Sequence, residues 1–598
     1  MENTKKQTLG GDFVIKQTLA NTVFTPEDFS EEQLMMKESV IEFVDRDIVP
    51  NRERFEQKDF DLTKELMSKA GDLGFLGVAV PEEYNGLGMP FTSTMLVCDY
   101  ISGANGSFST AFGAHTGIGT MPITLYGNEE QKQKYVSKLA TGEWFGAYCL
   151  TEPGAGSDAN SGKTKAVLSE DGTHYKITGQ KMWITNAGFA DILIVFARIE
   201  DDKNITGFIV PKDLENGITL GDEENKLGIK ASSTRQVFFN ETKVPVENML
   251  AGRGDGFKIG MNALNVGRIK LAAACIEAQR RISTLAIQYA TERVQFKTPI
   301  AEFGAIQYKL ANMAMETYAS ESASYRAAFD IEEKINELLE QGVSHQEAEL
   351  KGVEEFAIEC SILKVSVSEK AQKCTDEGIQ IFGGMGFSAD APMEMAWRDS
   401  RIARIYEGTN EINRMLSIGM LLKKAFKGDI DLMTPATAVG QELMTGIPKA
   451  EISNKLFAEE KYLIENMKKV LLMITGAAVQ KFGPKFEKEQ QIILALSDIL
   501  IEIYMAESTI LRTEKNCDRF GADSRKNQIE MSQLYLFNAI ENINRSGKEA
   551  IVSFAEGVHL KGMLSGMKQY SKYTNYPNIV GLRRSIASTL IEENKYPF

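Results

Sequence analysis

Residues 174–199 read HYKITGQKMWITNAGFADILIVFARI, a succession of short β-branched and aromatic runs separated by Gly, Asn and Asp. Runs of this length between turn-forming residues are typical of antiparallel strands. They continue on both sides of the quoted stretch, from Thr164 to Phe239. We therefore predict a central antiparallel β domain that resembles a barrel.

Helical patterns flank this β domain. On its N-terminal side, Ser30-Glu31-Glu32-Gln33 has the spacing of a capping box and precedes apolar residues at helical intervals. After Pro245, amphipathic stretches at about 257–293, 303–340, 347–378 and 400–425 predict a four-helix bundle. The fold class is α+β, mostly α, with an extra helical tail domain. The predicted domains are an N-terminal arm (1–25), an N-terminal helical domain (26–145), the β domain (146–250), the bundle (251–426), a Gly- and Pro-containing linker (427–445) and a C-terminal helical extension (446–598).

Composition excludes several classes of protein. The chain has 67 basic and 82 acidic residues, so its net charge of −15 argues against a general nucleic-acid binder. Its six cysteines are scattered and it has only four histidines, so neither a disulfide framework nor a metal site is predicted. We find no apolar N-terminal leader and no apolar run long enough to cross a membrane, and we expect a cytoplasmic protein.

Two helical stretches show a weak internal similarity. Residues 306–326 and 492–512 align without gaps and share seven of 21 positions, including Tyr318 with Tyr504 and Arg326 with Arg512. Two amphipathic helices can share such a pattern by chance, and an internal duplication explains it equally well.

Two polar segments near the β domain are candidates for ligand binding. AYCLTEPGAGSD, 147–158, contains glycines that permit close approach of a backbone to a phosphate or ring edge, although a turn between domains explains it as well. In KMWITNAG, 181–188, strand alternation places Trp183 and Thr185 on one side, where they suit a flat heterocycle. Packing of Trp183 in the core is the simpler alternative.

A third segment contains a carboxylate with two possible environments. QIFGGMGF, 380–387, is followed by RDSRIARIYEGTNEI, 399–413. If the apolar residues around Glu407 bury it, its pKa is raised and it can act as a general base. If Glu407 ends a helix in solvent, it has no such role, and spacing alone favours this alternative.

Taken together, these segments resemble the acyl-CoA dehydrogenase family. CLTEPGAGSD, GQKMWITNAG, LGIKASSTRQVFF, VPVENML, ERVQFKTPI, QIFGGMGF and YEGTNEI occur in the order found in that family, across roughly 25–425. The long tail resembles that of the very-long-chain subgroup. The resemblance implies an FAD-dependent oxidoreductase that converts an acyl-CoA to the trans-2-enoyl-CoA in fatty-acid β-oxidation and passes electrons to an electron-transferring flavoprotein.

The resemblance also implies roles for particular residues. Glu407 matches the catalytic base, and Gly267 occupies the position where some relatives carry the base instead. The implied FAD-binding residues are Tyr148, Leu150, Thr151, Gly156, Ser157, Trp183, Ile184 and Thr185, with Arg293, Phe296, Gln380, Gly383 and Gly384 directed to the FAD of a partner subunit and Thr409 and Glu411 following the base. The implied substrate contacts are Ser157, Asn265, Arg268, Tyr406 and Gly408, with the small residues Gly113, Ala114 and Gly117 along the acyl chain.

These small residues and the tail predict a preference for long-chain acyl-CoA. By the same resemblance the tail replaces a second dimer, so we expect a homodimer, with peripheral membrane contact unlikely. A flavin-dependent acyl-CoA oxidase that uses O₂ and a non-catalytic scaffold protein are the alternatives. Residues 331–353, which are charged and helix-prone, are expected to form a solvated extension between bundle helices.

Overall fold

The computed structural model describes residues 8–448 and 452–598, and it confirms the predicted fold class. Ser30 begins the first long helix as predicted: its hydroxyl accepts from the Gln33 N–H, and the Gln33 side chain accepts from the Ser30 N–H. The helices of the N-terminal domain are α1 (Glu31–Phe43), α2 (Arg52–Glu56), α3 (Phe60–Asp72), α4 (Phe91–Ser102), α5 (Gly106–Gly113), α6 (Met121–Tyr126), α7 (Glu129–Gln131) and α8 (Ser137–Thr141). A π-helical turn, Ala114–Gly119, connects α5 to α6.

The central domain is one sheet with strand order β6-β7-β3-β2-β4-β5-β8, and β1 pairs with β4. Its strands are β1 (Gly146–Cys149), β2 (Lys165–Leu168), β3 (His174–Thr185), β4 (Ile192–Ile199), β5 (Thr206–Pro211), β6 (Ile218–Leu220), β7 (Thr234–Pro245) and β8 (Met249–Leu250). Most pairs are antiparallel as predicted, but β1 and β2 both run parallel to β4. β4 and β5 are buried along almost their whole length, whereas β2, β3 and β7 also carry exposed residues.

The bundle follows the sheet. It contains α9 (Gly256–Ala274), α10 (Ile276–Glu292), α11 (Gly304–Glu340), α12 (His345–Glu355), α13 (Ala357–Phe382), α14 (Met393–Ser400) and α15 (Asn410–Lys427), with a hairpin of β9 (Val294–Gln295) and β10 (Thr298–Pro299) after α10. The stretch predicted as one helix at about 257–293 is two helices that meet at Cys275. The stretch at about 400–425 becomes α-helical only at Asn410, because a short 3₁₀ turn and a loop precede α15.

The prediction that 331–353 is a solvated extension is wrong for its apolar face. Residues 331–340 end α11, and α12 packs back against α11 and α9. Ile331, Leu338 and Val353 are buried in the core. Several of its charged residues are only partly exposed, and Glu332 accepts hydrogen bonds from Thr92 at the start of α4.

The C-terminal extension contains α16 (Met433–Thr445), α17 (Ala458–Phe482), α18 (Gln490–Phe520), α19 (Lys526–Phe554), α20 (Gly557–Tyr570) and α21 (Ile579–Glu593). Most of the segment predicted as a linker is therefore helical. Asp431 accepts from the Thr434 N–H at the start of α16, and Val439 is buried against the helices that follow. No helix in the described ranges is both long and apolar enough to cross a membrane.

The two stretches that share seven positions lie in α11 and α18, which pack against each other with reciprocal contacts. Arg512 pairs with Glu321 at 2.7 Å, and Arg326 pairs with Glu507 at 2.9 Å. Arg512 also lies over the ring of Tyr318, and Arg326 lies over the ring of Tyr504.

A second cation completes each pair from the helix that precedes it in the chain. Arg280 of α10 binds Glu321, and Lys468 of α17 binds Glu507, both at 2.6 Å. Chance similarity of two amphipathic helices does not require such matched partners. The arrangement favours a duplication in which α17 and α18 repeat α10 and α11.

The N-terminal arm crosses the junction between the bundle and the extension. Lys424 of α15 donates to the Gly10 carbonyl, and Lys468 of α17 donates to the Lys16 carbonyl. Further on, Arg512 and Lys515 of α18 pair with Glu27 and Asp28. The arm therefore contacts both helical units through buried or half-buried polar groups. The first seven residues of the predicted arm lie outside the described residues.

Candidate active site

The loop between the 3₁₀ turn Arg401–Arg404 and α15 carries Glu407 in a left-handed backbone conformation. Glu407 has φ 59° and the next residue, Gly408, has φ 80°. A non-glycine residue rarely adopts this conformation unless its surroundings enforce it. Thr409 ends the loop, and its hydroxyl accepts from the Ile412 N–H as the cap of α15. The backbone of Glu407 and Gly408 therefore has neither helical nor extended geometry.

Side chains from three helices hold this loop by its carbonyl groups. Arg268 of α9 donates to the Glu407 carbonyl at 3.3 Å, and Asn413 of α15 donates to the Gly408 carbonyl at 2.8 Å. Lys364 of α13 also donates to the Gly408 carbonyl, at 2.7 Å. In the described part of the chain no acceptor is found for the Glu407 N–H.

Glu407 is half-buried as a residue and its Oε2 atom is fully buried, so the structure supports the first of the two environments predicted for it. Burial raises its pKa to about 7, against the opposing effect of Arg268 and Lys364. Its Oε2 atom is buried and has no hydrogen-bond partner among the described residues. A carboxyl with a pKa near neutral and a free oxygen suits the acceptance of a proton from a bound ligand.

Gly267 of α9 makes room for this carboxyl. A Cβ atom at position 267 would lie 2.5 Å from Glu407 Oε2, closer than any real contact. The buried phenol of Tyr148, on β1, also lies near Glu407 and has no hydrogen-bond partner among the described residues. Glu407 therefore lies beside Gly267 of the bundle and near Tyr148 of the sheet.

The two predicted segments of the β domain, 147–158 and 181–188, are hydrogen-bonded to each other. The Met182 N–H donates to the Thr151 carbonyl, and buried Lys181 donates to the Leu150 carbonyl at 3.1 Å. Lys181 also pairs with Glu152 at 2.6 Å. These bonds join the loop after β1 to the end of β3.

Trp183 does not belong to the core of the sheet. The register of β3 against β7 shifts between Lys181 and Ile184, and Trp183 has φ 60°. This irregularity interrupts the alternation on which its predicted orientation rested. Lys181 and Ile184 are buried, whereas 53% of Trp183 is exposed. The indole is thus accessible at the surface of the protein, and Thr185 is partly buried.

The glycines of the loop after β1 face open space. No atom lies within 4 Å of a Cβ added at Gly154 or Gly156. Ser157, which follows them, is exposed. The loop can therefore approach a ligand through its backbone, as the sequence predicted.

The residues predicted to reach a partner's FAD form a separate exposed group. They lie on the hairpin after α10 and the loop after α13, which the stacked rings of Tyr289 and Phe382 hold side by side at 4.0 Å. The group consists of Arg293, Phe296, Gln380, Gly383 and Gly384, all exposed, and Phe296 is 90% exposed. Glu411 is exposed on the first turn of α15. A partner role for these residues stays a prediction.

The small residues predicted along the acyl chain do not all face open space. A Cβ added at Gly113 would meet no atom within 4 Å, but one at Gly117 would meet the stem of Lys270 at 3.9 Å. Lys270 is buried on α9, one helical turn beyond Gly267, and donates to the Thr116 carbonyl at 3.3 Å. Burial lowers the pKa of Lys270. Ala114 begins the π-helical turn between these two glycines.

Asn265 and Arg268 lie at one end of a groove with a volume of about 560 Å³. The Arg268 guanidinium donates to the Asn265 side chain at 2.7 Å. From there the groove runs between α9, α12 and α15. Its basic lining residues are Arg268, Lys334, Lys351, Lys423, Lys424 and Lys427, against the acidic residues Glu354, Glu355 and Asp429. Lys334, Lys351 and Lys424 pair with Glu337, Glu347 and Glu355, so the positive charge of the groove comes mainly from Arg268, Lys423 and Lys427.

Sequence reasoning missed three residues of this site: Lys364, Asn410 and Asn413. Lys364 stands alone in the apolar stretch CSILKVSV, and Asn410 and Asn413 fall on the buried face of α15. A charged or amide side chain on a buried helical face needs a partner, which was the available signal. The identity of that partner was not readable from the sequence.

Comparison with known proteins agrees with this arrangement. Sequence profiles of the acyl-CoA dehydrogenase N-terminal, middle and C-terminal domains match residues 30–143, 147–242 and 254–421, and a further acyl-CoA dehydrogenase C-terminal domain profile matches 466–569. A probable acyl-CoA dehydrogenase of Bacillus subtilis (strain 168) is 42% identical over 587 residues, which is 98% of each chain.

Two further relatives are informative. The human very long-chain specific acyl-CoA dehydrogenase is 39% identical over 399 residues, covering 65% of this chain and 58% of that protein. A crystal structure of an acyl-CoA dehydrogenase complexed with FAD, from Bacillus anthracis, superimposes with a TM-score of 0.96 at 42% identity, covering 99% of this chain and 100% of that one.

The fold and these similarities define an FAD-dependent oxidoreductase. Within that class, the chain belongs to the acyl-CoA dehydrogenase family.

Proposed function

We propose that this protein oxidises a long-chain acyl-CoA to the trans-2-enoyl-CoA, with Glu407 as the base that removes the α-proton. The observation that carries the proposal is the buried Glu407 carboxyl, with a raised pKa and a free oxygen beside Gly267. The α-proton of a thioester is weakly acidic, so its removal needs a positioned base and donors on the thioester oxygen. The free Glu407 N–H is one such donor.

The residues of β1, of the loop after it and of the end of β3 fit FAD. The open backbone of Gly154 and Gly156 suits phosphates, and exposed Trp183 suits the flat ring system. The Tyr148 phenol, which has no hydrogen-bond partner among the described residues, lies near Glu407. When bound there, FAD accepts the β-hydrogen of the substrate as hydride. The chain supplies the orientation of the substrate and the exclusion of water.

The cationic groove supports a substrate with several negative charges. The groove begins at Arg268, which also donates to the Glu407 carbonyl, and it extends along α15. On α15 its lining residues run from Leu416 to Lys427, and these 11 helical steps span about 17 Å at 1.5 Å per residue. The groove can therefore accommodate an extended carrier such as CoA whose thioester lies at Glu407.

The preference for long acyl chains is supported by the empty space beside Gly113 and by similarity to very long-chain enzymes. Each additional buried methylene contributes about 0.8 kcal/mol until the chain meets the end of its pocket. Measurement of kcat/KM from butyryl-CoA to eicosanoyl-CoA tests this part. An optimum at octanoyl-CoA or below contradicts it.

We further propose a homodimer that passes electrons to an electron-transferring flavoprotein. The duplicated helices of the extension cover one face of the bundle, and the exposed group around Phe296 remains free to reach a second chain. Light scattering tests the assembly, and a stable tetramer contradicts it. Slow reoxidation in air, with fast reoxidation by the flavoprotein, separates a dehydrogenase from an oxidase.

The decisive experiment is anaerobic addition of palmitoyl-CoA to the flavin-loaded enzyme. We expect the visible flavin absorbance to bleach and enoyl-CoA to form. In Glu407→Gln the flavin should stay bound while bleaching slows by about 10²- to 10⁴-fold. Near-normal product formation by this variant excludes Glu407 as the base, and failure of the wild type to bleach with any acyl-CoA excludes the function.

A further inference from the structure

We propose that Lys364 of α13 is a positioning residue for Glu407. Lys364 fixes the loop that carries Glu407, residues 405–409, by donating to the Gly408 carbonyl and to the Asn410 side-chain oxygen, and it adds a buried positive charge near the Glu407 carboxyl. This inference rests on the proposed function of Glu407 as the base. Lys364 itself is not expected to touch the substrate.

The contacts of Lys364 are unusual for a buried lysine. Its side chain is fully buried, and its ammonium donates to the Gly408 carbonyl and to the Asn410 side-chain oxygen, both at 2.7 Å. Both acceptors are neutral, and no carboxylate of the described chain lies within ion-pair distance of it. Burying an ammonium is costly unless an opposite charge compensates it. Among the carboxylates of the described residues, Glu407 acts most strongly on the charge of Lys364, followed by Glu369.

The position of Lys364 also explains how the loop keeps its shape. Its two acceptors lie on either side of Thr409, and one of them, Gly408, is itself the second of the two consecutive residues with positive φ. Asn410 in turn donates to Ser368 and Glu369 of α13. Lys364 and Asn410 thus fasten the loop to α13, while Arg268 fastens it to α9. A conformation that the chain rarely adopts is held by contacts from both sides.

The charges around the pair identify which groups respond to pH. Burial raises the pKa of Glu407 to about 7 and lowers that of Lys364 to about 7, and each charge opposes the shift of the other. The remaining groups that face them are Arg268, Glu369, Cys275, Tyr406 and Tyr148.

None of these other groups changes charge near neutral pH. Arg268 keeps its charge because guanidinium has a very high pKa. Arg414 compensates Glu369 through two hydrogen bonds at 2.8 Å and lowers its pKa. Burial raises the pKa of the Cys275 thiol to about 12 and raises those of both tyrosines. Glu407 and Lys364 therefore titrate as one coupled pair.

The sign of the expected effect follows from this pairing. A neighbouring cation favours the carboxylate, so its removal raises the pKa of Glu407 and leaves more of the base protonated at neutral pH. In Lys364→Met we expect the acid limb of the kcat/KM profile to move up by about one pH unit, which is about a tenfold loss at pH 6.5. The loss should shrink as the pH is raised. Lys364→Arg keeps the charge and should restore the limb towards its original position.

The control is Lys468→Met, which removes a second buried lysine. Lys468 pairs with Glu507 in the extension, far along the chain from the base. We expect it to lower the thermal stability without moving the acid limb. If Lys364→Met lowers activity or stability equally at all pH values, Lys364 has only a structural role and the inference is wrong.

A measurement without turnover separates this inference from the proposed function. Infrared difference titration of the flavin-loaded enzyme reports the protonation of buried carboxyls, and Glu407→Gln identifies the band that belongs to Glu407. We expect the midpoint of this band to rise in Lys364→Met. An unchanged midpoint overturns the inference even if the enzyme dehydrogenates acyl-CoA, whereas a raised midpoint in an inactive enzyme overturns only the proposed function. If Lys364→Met does not fold, Lys364→Gln gives the same comparison with a smaller change in polarity.

Discussion

At the scale of single residues, the pKa of Glu407 predicts how activity depends on pH. The base must be deprotonated, and burial raises its pKa to about 7. Activity should therefore rise with pH through this value and fall about tenfold for each unit below it. The profile of kcat/KM for palmitoyl-CoA checks this expectation. A limb near the ordinary pKa of glutamate, with no change near 7, would show that Glu407 is not buried in the free enzyme.

Gly267 makes a second prediction at this scale. A methyl group at position 267 would displace the Glu407 carboxyl, because the new Cβ would lie 2.5 Å from Oε2. A displacement of about 1 Å at a reacting group can lower the rate about 10²-fold. We expect a loss of this order in Gly267→Ala, with little change in stability.

The matched control for this change is Gly419→Ala on α15, where an added Cβ meets no atom within 4 Å. It should leave kcat close to that of the wild type. Equal effects of the two substitutions would show that the loss at 267 is not caused by contact with the base.

At the scale of elements, Lys270 of α9 predicts where the acyl pocket ends. Its stem lies beside Gly117, in the space that the sequence assigned to the acyl chain. Lys270→Ala should shift the optimum of kcat/KM to longer acyl chains, by about fourfold for each methylene that gains a buried site. Lys270→Met keeps the stem and should leave the optimum unchanged. A shift in both variants would show that the charge, and not the volume, sets the limit.

How far the sequence determines the elements depends on the range of the interactions involved. The strands of the β domain and the capping box at Ser30 follow from neighbouring residues, and the structure contains both. The break at Cys275, the bulge before Ile184 and the helix within 433–445 depend on packing against distant segments. Local patterns do not encode these contacts, so they were not predicted.

The same distinction applies to the candidate site. The motif YEGTNEI identified Glu407 through resemblance, whereas spacing alone favoured solvent exposure. Its burial arises where α9, α13 and β1 meet, and these segments are far apart in the chain. Lys364 was missed for the same reason. Its partners at Gly408 and Asn410 lie more than 40 residues away.

At the scale of the whole molecule, the reciprocal pairs between α11 and α18 should hold the extension on the bundle. Removal of one partner leaves a buried charge without compensation, which costs about 3–5 kcal/mol. Arg512→Met removes the cation that pairs with Glu27 and one of the two cations that pair with Glu321, because Arg280 remains on Glu321. We therefore expect it to lower the free energy of unfolding by at most this amount. Arg326→Met should cost less, because Lys468 still compensates Glu507.

Thermal and denaturant unfolding measure these effects, and Arg46→Met is the control. Arg46 pairs with Glu42 and Asp47 on the surface, so its loss should cost less than about 1 kcal/mol. If the pairs fasten the extension, Arg512→Met should also unfold in two steps, with the extension melting before the flavin is released. A single transition at the wild-type temperature would mean that apolar packing between α11 and α18 is enough to hold the extension on the bundle. The reciprocal ion pairs would then not stabilise the contact between the two units.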